Sequence, residues 1–515
     1  MREWTLGSDD PLSLTLAADA RFSNPDYSND HIWELELGSG EPAALSLRTT
    51  YGLRARAMRI FPRFREGENE VSDPASFAIP PVVTVFYANF LEVKFSPFEN
   101  LEVVAEYWIP DSQSVSGRLS LINRTSTERE VKIELIASLA PLDGLNFKPQ
   151  QIQAVNILAG ETGGLSPVFF LTGGPIHGTG AQPSLDLKVN LGPGAKRRFN
   201  WAQAALPEKE DSFDLARRTV SRPWDAERAR IELTNASQSV EIETGDPAWD
   251  AALALSQQAA FRLLFNGNEN LAERTFVTAR QPDHGNSLAG DGSDHPPDWG
   301  GQSPLEAYYL ASLLPGAPEL GEGLLKNFIA TQSETGEIDH KIGLGGQRSR
   351  LLAAPFLASL AWKLYEQSQN KVFLTEIYPA LQQFFWAWFS PEHDRNNDTL
   401  PEWQHPLQIS FEDHPLFNNW HRWARGVDIA AVHSPSLFAA LYHEAEALSK
   451  ISGLIGKNNN QPVFTAQAEK LQKGAEACWD ARRANYRYLD RDSNLAPRGK
   501  ILHRQTGGGI IKFKE

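Results

Sequence analysis

Apolar and polar residues alternate through the first two hundred positions. Val131, Ile133 and Leu135 are separated by Lys132 and Glu134, and Leu185, Leu187, Val189 and Leu191 by Asp186, Lys188 and Asn190. A period of two puts one set of side chains on one face of a strand. Further strands are predicted over 82–95, 101–109 and 115–122, with turn residues at Pro110-Asp111, Asn123-Arg124 and Gly192-Pro193-Gly194 between them. This pattern predicts an antiparallel β-sandwich over residues 1–205. Residues 206–245 read as a linker, with a short helix at 213–222 before Pro223 and a strand or hairpin at 231–243. From Pro247 the period becomes helical: Ala252, Leu255, Ala259 and Leu263 lay an apolar stripe along one face. More helices are predicted at 303–314, 319–333, 349–369, 371–390, 433–453 and 462–484, which makes 246–515 a helical domain. In the helix at 433–453, Leu437, Phe438, Leu441 and Tyr442 form the buried face, and Glu444 and Glu446 are expected to be solvated.

Composition narrows the partners. A chain of 515 residues exceeds one ordinary core and implies two or three domains. Hydrophobic and charged contents of 41% and 22% are those of a soluble globular protein. A net charge of -15 argues against a nucleic-acid or membrane partner, and leaves a neutral ligand such as a sugar compatible. Cys478 stands alone, so neither an intrachain disulfide nor a cysteine metal cluster can form. The N-terminus lacks the apolar core of a signal peptide, and no stretch approaches the roughly 18 apolar residues of a membrane span. A cytoplasmic location is the expectation, with no cofactor.

Candidate chemistry concentrates in 394–417, DRNNDTLPEWQHPLQISFEDHPLF. Asp394, Asp398, Glu402, Glu412 and Asp413 lie among Trp403, His405, Phe411 and His414, and Pro401 and Pro406 stop helix growth. Carboxylates beside aromatics suit a sugar-cleaving site, which needs an acid of raised pKa and flat apolar faces against pyranose rings. A second long loop, 276–302, is rich in Gly, Asp, His and Pro. Loops this long are usually functional or disordered, and their aromatics favour ordered, site-building loops.

No metal site is expected. Asp394, Asn396 and Asp398 have the spacing with which a calcium loop begins, but position 399 is not glycine, and an Asx-type turn before Leu400 is the better reading. His284 and His295 are too far apart in sequence for a helical pair. The GLGGQ run at 343–347 lacks the Lys-Ser/Thr of a phosphate loop and reads as a turn before a helix.

Three ordered blocks carry a resemblance: DWGGQSPLEAYYLASLLPGAPEL at 298–320, GLGGQRSRLLAAPFLASLAWKLYE at 343–366, and LPEW with FEDHPLF within 400–417. Over roughly residues 245–500 the chain resembles glycoside hydrolase family 63 and its bacterial relatives, which include processing α-glucosidases and mannosylglycerate-type hydrolases. The resemblance implies an (α/α)6 toroid behind a β-sandwich, and an inverting α-glycoside hydrolase acting on glucosides or mannosides. In such an enzyme one carboxylic acid protonates the leaving oxygen while a second carboxylate activates water.

The family's general acid is an Asp in a Gly-Met-Asp-Asn-like turn shortly before a proline. With Pro415 on that proline, Glu412 takes the acid position, a Glu where the family has Asp, and Asp413 is the second candidate. Phe411, Phe417 and Trp420 are the residues expected to bury it. Trp299 and Trp403 would stack on sugar faces, and Asp298, Gln302, Gln347, Arg348 and Glu402 would bond hydroxyls; many relatives carry Asp at the position of Gln302. The family's general base lies on a late helix. About seven helices are predicted after residue 245, fewer than a closed toroid has, and Asp490, Asp492 and Glu515 make poor bases. The helical domain therefore reads as partial, and the alternative function is a carbohydrate-binding protein without catalysis.

Overall fold

The alternation at 131–135 and 185–191 brings the two segments together. In the computed structural model, which describes residues 4–5, 14–409 and 428–493, they lie in neighbouring antiparallel strands, Arg129–Pro141 and Ser184–Leu191. Val131 faces Val189, Ile133 faces Leu187 and Leu135 faces Leu185, and all of them are buried. On the opposite face Lys132 bridges Glu134 at 2.7 Å and Asp186 at 2.8 Å, so the polar set is paired as well.

These strands belong to an eight-stranded antiparallel sheet, and a nine-stranded antiparallel sheet accompanies it. Leu35, Leu47, Ile60 and Ile133 of the first and Val83, Val93, Val103 and Leu119 of the second share one core, which makes a sandwich. The segment predicted as one strand at 82–95 is a hairpin, Ile79–Tyr87 and Phe90–Ser96. Gly117 faces the ring of Trp201, where a Cβ would fall 2.2 Å from the indole, so only glycine leaves room for this buried ring.

The stretch expected to be a linker is structured. Helix α1 (Lys209–Val220) packs Phe213, Ala216 and Val220 on the nine-stranded sheet. The strand or hairpin expected at 231–243 is absent: residues 231–238 are the second half of helix α2 (Trp224–Gln238), and 239–243 are irregular. Trp224 and Ile231 bury against Val85, Phe90 and Trp108, each worth about 1.5–3 kcal/mol, and Arg228 pairs with Glu106 at 2.9 Å. These contacts with the sheet override the β-branched local composition. In helix α3 (Pro247–Arg262) the expected stripe is only partly right: Ala252 is exposed, and Gln257, Ala260 and Phe261 are buried. The Gln257 amide exchanges two 2.8 Å hydrogen bonds with the backbone of Val240, which lets a polar residue take a core position.

The chain divides into two compact units, residues 1–266 with 276–299, and 267–275 with 300–515. The second is helical: α4 (Pro304–Leu313), α5 (Pro318–Ile329), α6 (Leu357–Ser368), α7 (Lys371–Ala387), α8 (Pro435–Leu454) and α9 (Gln461–Ala477). Ser303 and Glu306 close a capping box at the start of α4. Two expectations fail here. Residues 349–356 do not open helix α6, because Asp339 holds the N–H groups of Ser349 and Arg350. Glu444 is not solvated: it is 1% exposed, with its carboxylate on the N-terminus of α6. Among the described residues no helix is long and apolar enough to cross a membrane.

Candidate functional site

The acidic loop after α7 is built from its own backbone. Asp394 accepts the N–H groups of Asp398 at 3.0 Å and Thr399 at 2.9 Å, and Asp398 accepts that of Leu400 at 2.9 Å. This is the Asx-type turn the spacing predicts, with Asn397 and Thr399 in the left-handed region at φ 54° and 71°. The Asp398 carboxylate also lies 3.2 Å from Nε2 of His433. The Asp394 and Asp398 oxygens are thus engaged within the turn and with His433. The turn delivers Glu402, whose N–H donates to the carbonyl of His393 at 2.7 Å.

Glu402 is buried, 2% exposed. Burial pushes its carboxyl up to about 7, against the Arg395 N–H and the Arg491 guanidinium, while Asp394 and Asp398 add repulsion. Arg491 Nε lies 3.8 Å away. A carboxyl at that value is partly protonated at neutral pH and can both donate and accept a hydrogen bond.

Trp403 follows, 2% exposed. Its indole N–H donates to Ser434 Oγ at 3.1 Å and its ring meets Trp388 edge-on at 5.5 Å. Gln408 then ties the loop back: its side-chain oxygen accepts from Gln404 and His405, and its amide donates to Leu352 at 2.8 Å. Buried His340 accepts from the Ala354 N–H on Nδ1 and so presents its own proton, on Nε2, to Leu407 at 3.1 Å. Burial pushes this imidazole down to about 4 and keeps it neutral.

The 339–352 loop is ordered by one carboxylate. Asp339 accepts from the N–H groups of Lys341, Ser349 and Arg350 and from the Ser349 hydroxyl. Ile342 forms bridges with both Gln302 and Arg348, which brings Gln302, Gln347 and Arg348 together. The GLGGQ run is the turn predicted, though the next helix begins only at Leu357. Gln347 accepts from the Gly345 N–H at 3.0 Å, and Arg348 is exposed with its guanidinium on the Gln347 carbonyl at 2.8 Å. Gln302 is fully buried, and neither atom of its amide has a hydrogen-bond partner among the described residues.

Asp298 and Trp299 lie in the other compact unit. Asp298 is half exposed, 3.6 Å from His284 Nε2. Trp299 is fully buried, stacked with His284 at 6.1 Å and Tyr27 at 6.3 Å, so packing occupies its faces. Glu412 and Asp413 lie outside the described residues, as do Phe411, Phe417, Trp420 and Glu515. Asp490 accepts from the Ser493 N–H and hydroxyl, which hold its carboxyl below the usual range, and Asp492 is exposed beside Arg491.

Sequence reasoning missed Asp339, Gln408 and Arg491. Each acts on partners distant in the chain or on backbone groups, and neither leaves a local signature.

The helical unit thus carries a buried carboxyl, pushed up to about 7, in an acidic, tryptophan-bearing loop. Residues 312–510 match the family model described as the mannosylglycerate hydrolase MGH1-like glycoside hydrolase domain. No curated protein matches the chain. Among solved structures, a bacterial glucoamylase in complex with acarbose has 9% identity over 92% of this chain and 70% of its own, with a TM-score of 0.46. The GH63 mannosylglycerate hydrolase from Thermus thermophilus, in complex with glucose, has 15% identity over 38% of this chain and 61% of its own, with a TM-score of 0.33. The assignment rests on the family match.

Proposed function

We propose that the chain is an inverting α-glycoside hydrolase acting on glucosides or mannosides, with its helical part, residues 246–515, of (α/α)6 toroid type. The observation that carries this reading is the family match over 312–510, because that span contains the whole 394–417 loop. Glu412 is the proposed general acid and Asp413 the residue that shapes its turn. Glu402, at about 7, is the proposed hydroxyl-binding carboxyl of the same loop, able to donate to one sugar oxygen and accept from another. Gln302, Gln347, Arg348 and Asp298 take the remaining hydroxyl-binding roles. Trp403 and Trp299 contribute as buried supports rather than as open platforms, since their rings are already packed.

The mechanism follows from the roles. The acid protonates the glycosidic oxygen as the bond to the anomeric carbon breaks, and a base-activated water attacks from the opposite face. Glu412→Gln should therefore abolish hydrolysis of glycosides with poor leaving groups and spare those with activated ones. General acid catalysis is worth about 10²–10⁴-fold. Asp413→Asn should cost less. If Asp413→Asn costs more, the acid role passes to Asp413; if neither change matters, the assignment of the loop fails.

A further inference from the structure

One cluster outside this loop chemistry combines two carboxylates with a buried imidazole. Glu337 ends a tight loop: its N–H donates to Ser333 Oγ at 3.1 Å, and the Ser333 N–H donates back to its carbonyl at 2.8 Å. Glu392 and His393 sit in the turn after α7, where the His393 N–H donates to the Ser390 carbonyl at 3.0 Å. One ligand atom from each of Glu337, Glu392 and His393 lies within 4.8 Å of the others. His393 is 1% exposed, and neither ring nitrogen has a hydrogen-bond partner among the described residues. Its Nε2 is aimed at the cluster, 3.7 Å from Glu337 Oε1. Two ligands on a tetrahedral zinc ion stand about 3.4 Å apart, so modest side-chain rotation closes the gap.

We propose that Glu337, Glu392 and His393 bind a divalent cation of the zinc class, with water completing the shell. The chemistry of the set fits. The buried, unpartnered imidazole nitrogen faces two carboxylates, a nitrogen-and-oxygen donor set that this ion accepts. Two carboxylates balance the charge of the ion. The ion would join the 333–337 loop to the turn from which Glu402 hangs, since the His393 carbonyl holds the Glu402 N–H. Its role is to anchor the acidic loop, not to take part in sugar cleavage.

The test is titration of chelator-treated full-length protein with zinc chloride by calorimetry, and with cobalt chloride by visible absorption. Saturable uptake of one zinc equivalent and tetrahedral cobalt bands are expected. Glu392→Gln, at an exposed position that leaves folding intact, and Glu337→Gln should each weaken binding by about tenfold or more. Zinc should raise the melting temperature of the parent and not of these variants. Absence of saturable zinc uptake, or variants that bind as tightly as the parent, would overturn the proposal. His393→Gln adds a third check, read only from preparations with parent-like circular dichroism.

Discussion

The Glu444 carboxylate accepts the backbone N–H of Ser359 at 2.7 Å, and its other oxygen accepts that of Ala358 at 2.8 Å. The N-cap position of helix α6 is Phe356, which has no side-chain acceptor, so α8 supplies the missing cap from a distance. Glu444→Ala would leave the buried Ala358 N–H and the partly buried Ser359 N–H unsatisfied, each costing about 1–3 kcal/mol. A loss of about 2–4 kcal/mol in urea unfolding is expected. A change of only a few tenths would mean that water replaces the carboxylate.

The same carboxyl gives stability a pH dependence of known sign. Burial raises Glu444 and Glu402 to about 7 from an ordinary 4.5. Their favourable contribution is complete below pH 4.5 and is lost as pH rises to 7, by about 1.4 kcal/mol per unit per group. His340 and His393, lowered to about 4 by burial, act oppositely: their contribution is present above pH 6.5 and lost as pH falls towards 4. These terms offset one another in the parent, so the informative quantity is a difference. The deficit of Glu444→Gln relative to the parent should be largest at pH 5 and shrink by about 2–3 kcal/mol by pH 7.5. A deficit that is constant or grows with pH would contradict the assignment.

Gly343 makes the close approach in the GLGGQ turn. A Cβ there would lie 1.7 Å from the carbonyl oxygen of Gly300 and 2.4 Å from the Gln347 side chain. Gly343→Ala should cost about 1–3 kcal/mol and displace Gln347 and Arg348, read as a lower melting temperature and a raised KM. Unchanged values for both would show that this loop neither packs tightly nor meets substrate.

Asp339 organises the same loop through three backbone N–H groups and one hydroxyl. Asp339→Ala should release 341–350, detected as faster amide exchange there with α4 and α5 unchanged. Exchange at the parent rate would mean that the bridges of Ile342 alone hold it.

What was legible in the sequence is what local period encodes. The pairs Val131–Val189 and Ile133–Leu187 follow from alternation, and Leu437, Phe438 and Leu441 of α8 from helical spacing. What escaped depends on partners distant in the chain. The second half of helix α2, from Ile231, reads locally as a strand, but Trp224 and Ile231 find a sheet to cover. Glu444 reads as a surface acid because its two partners lie eighty-odd residues earlier, on backbone N–H groups that carry no residue identity. At the candidate site, the Asx turn at 398–400 was legible from spacing alone. The raised carboxyl of Glu402 was not, because it depends on burial and on Arg491.

The central claim is inverting hydrolysis of an α-glycoside, and proton NMR of the first-formed sugar tests it most directly. An α-glucoside or α-mannoside with an activated leaving group is mixed with enzyme, and the anomeric signals are followed before mutarotation. The β anomer appearing first is the predicted result. An α anomer appearing first, or sugar that is bound and left intact, would contradict it.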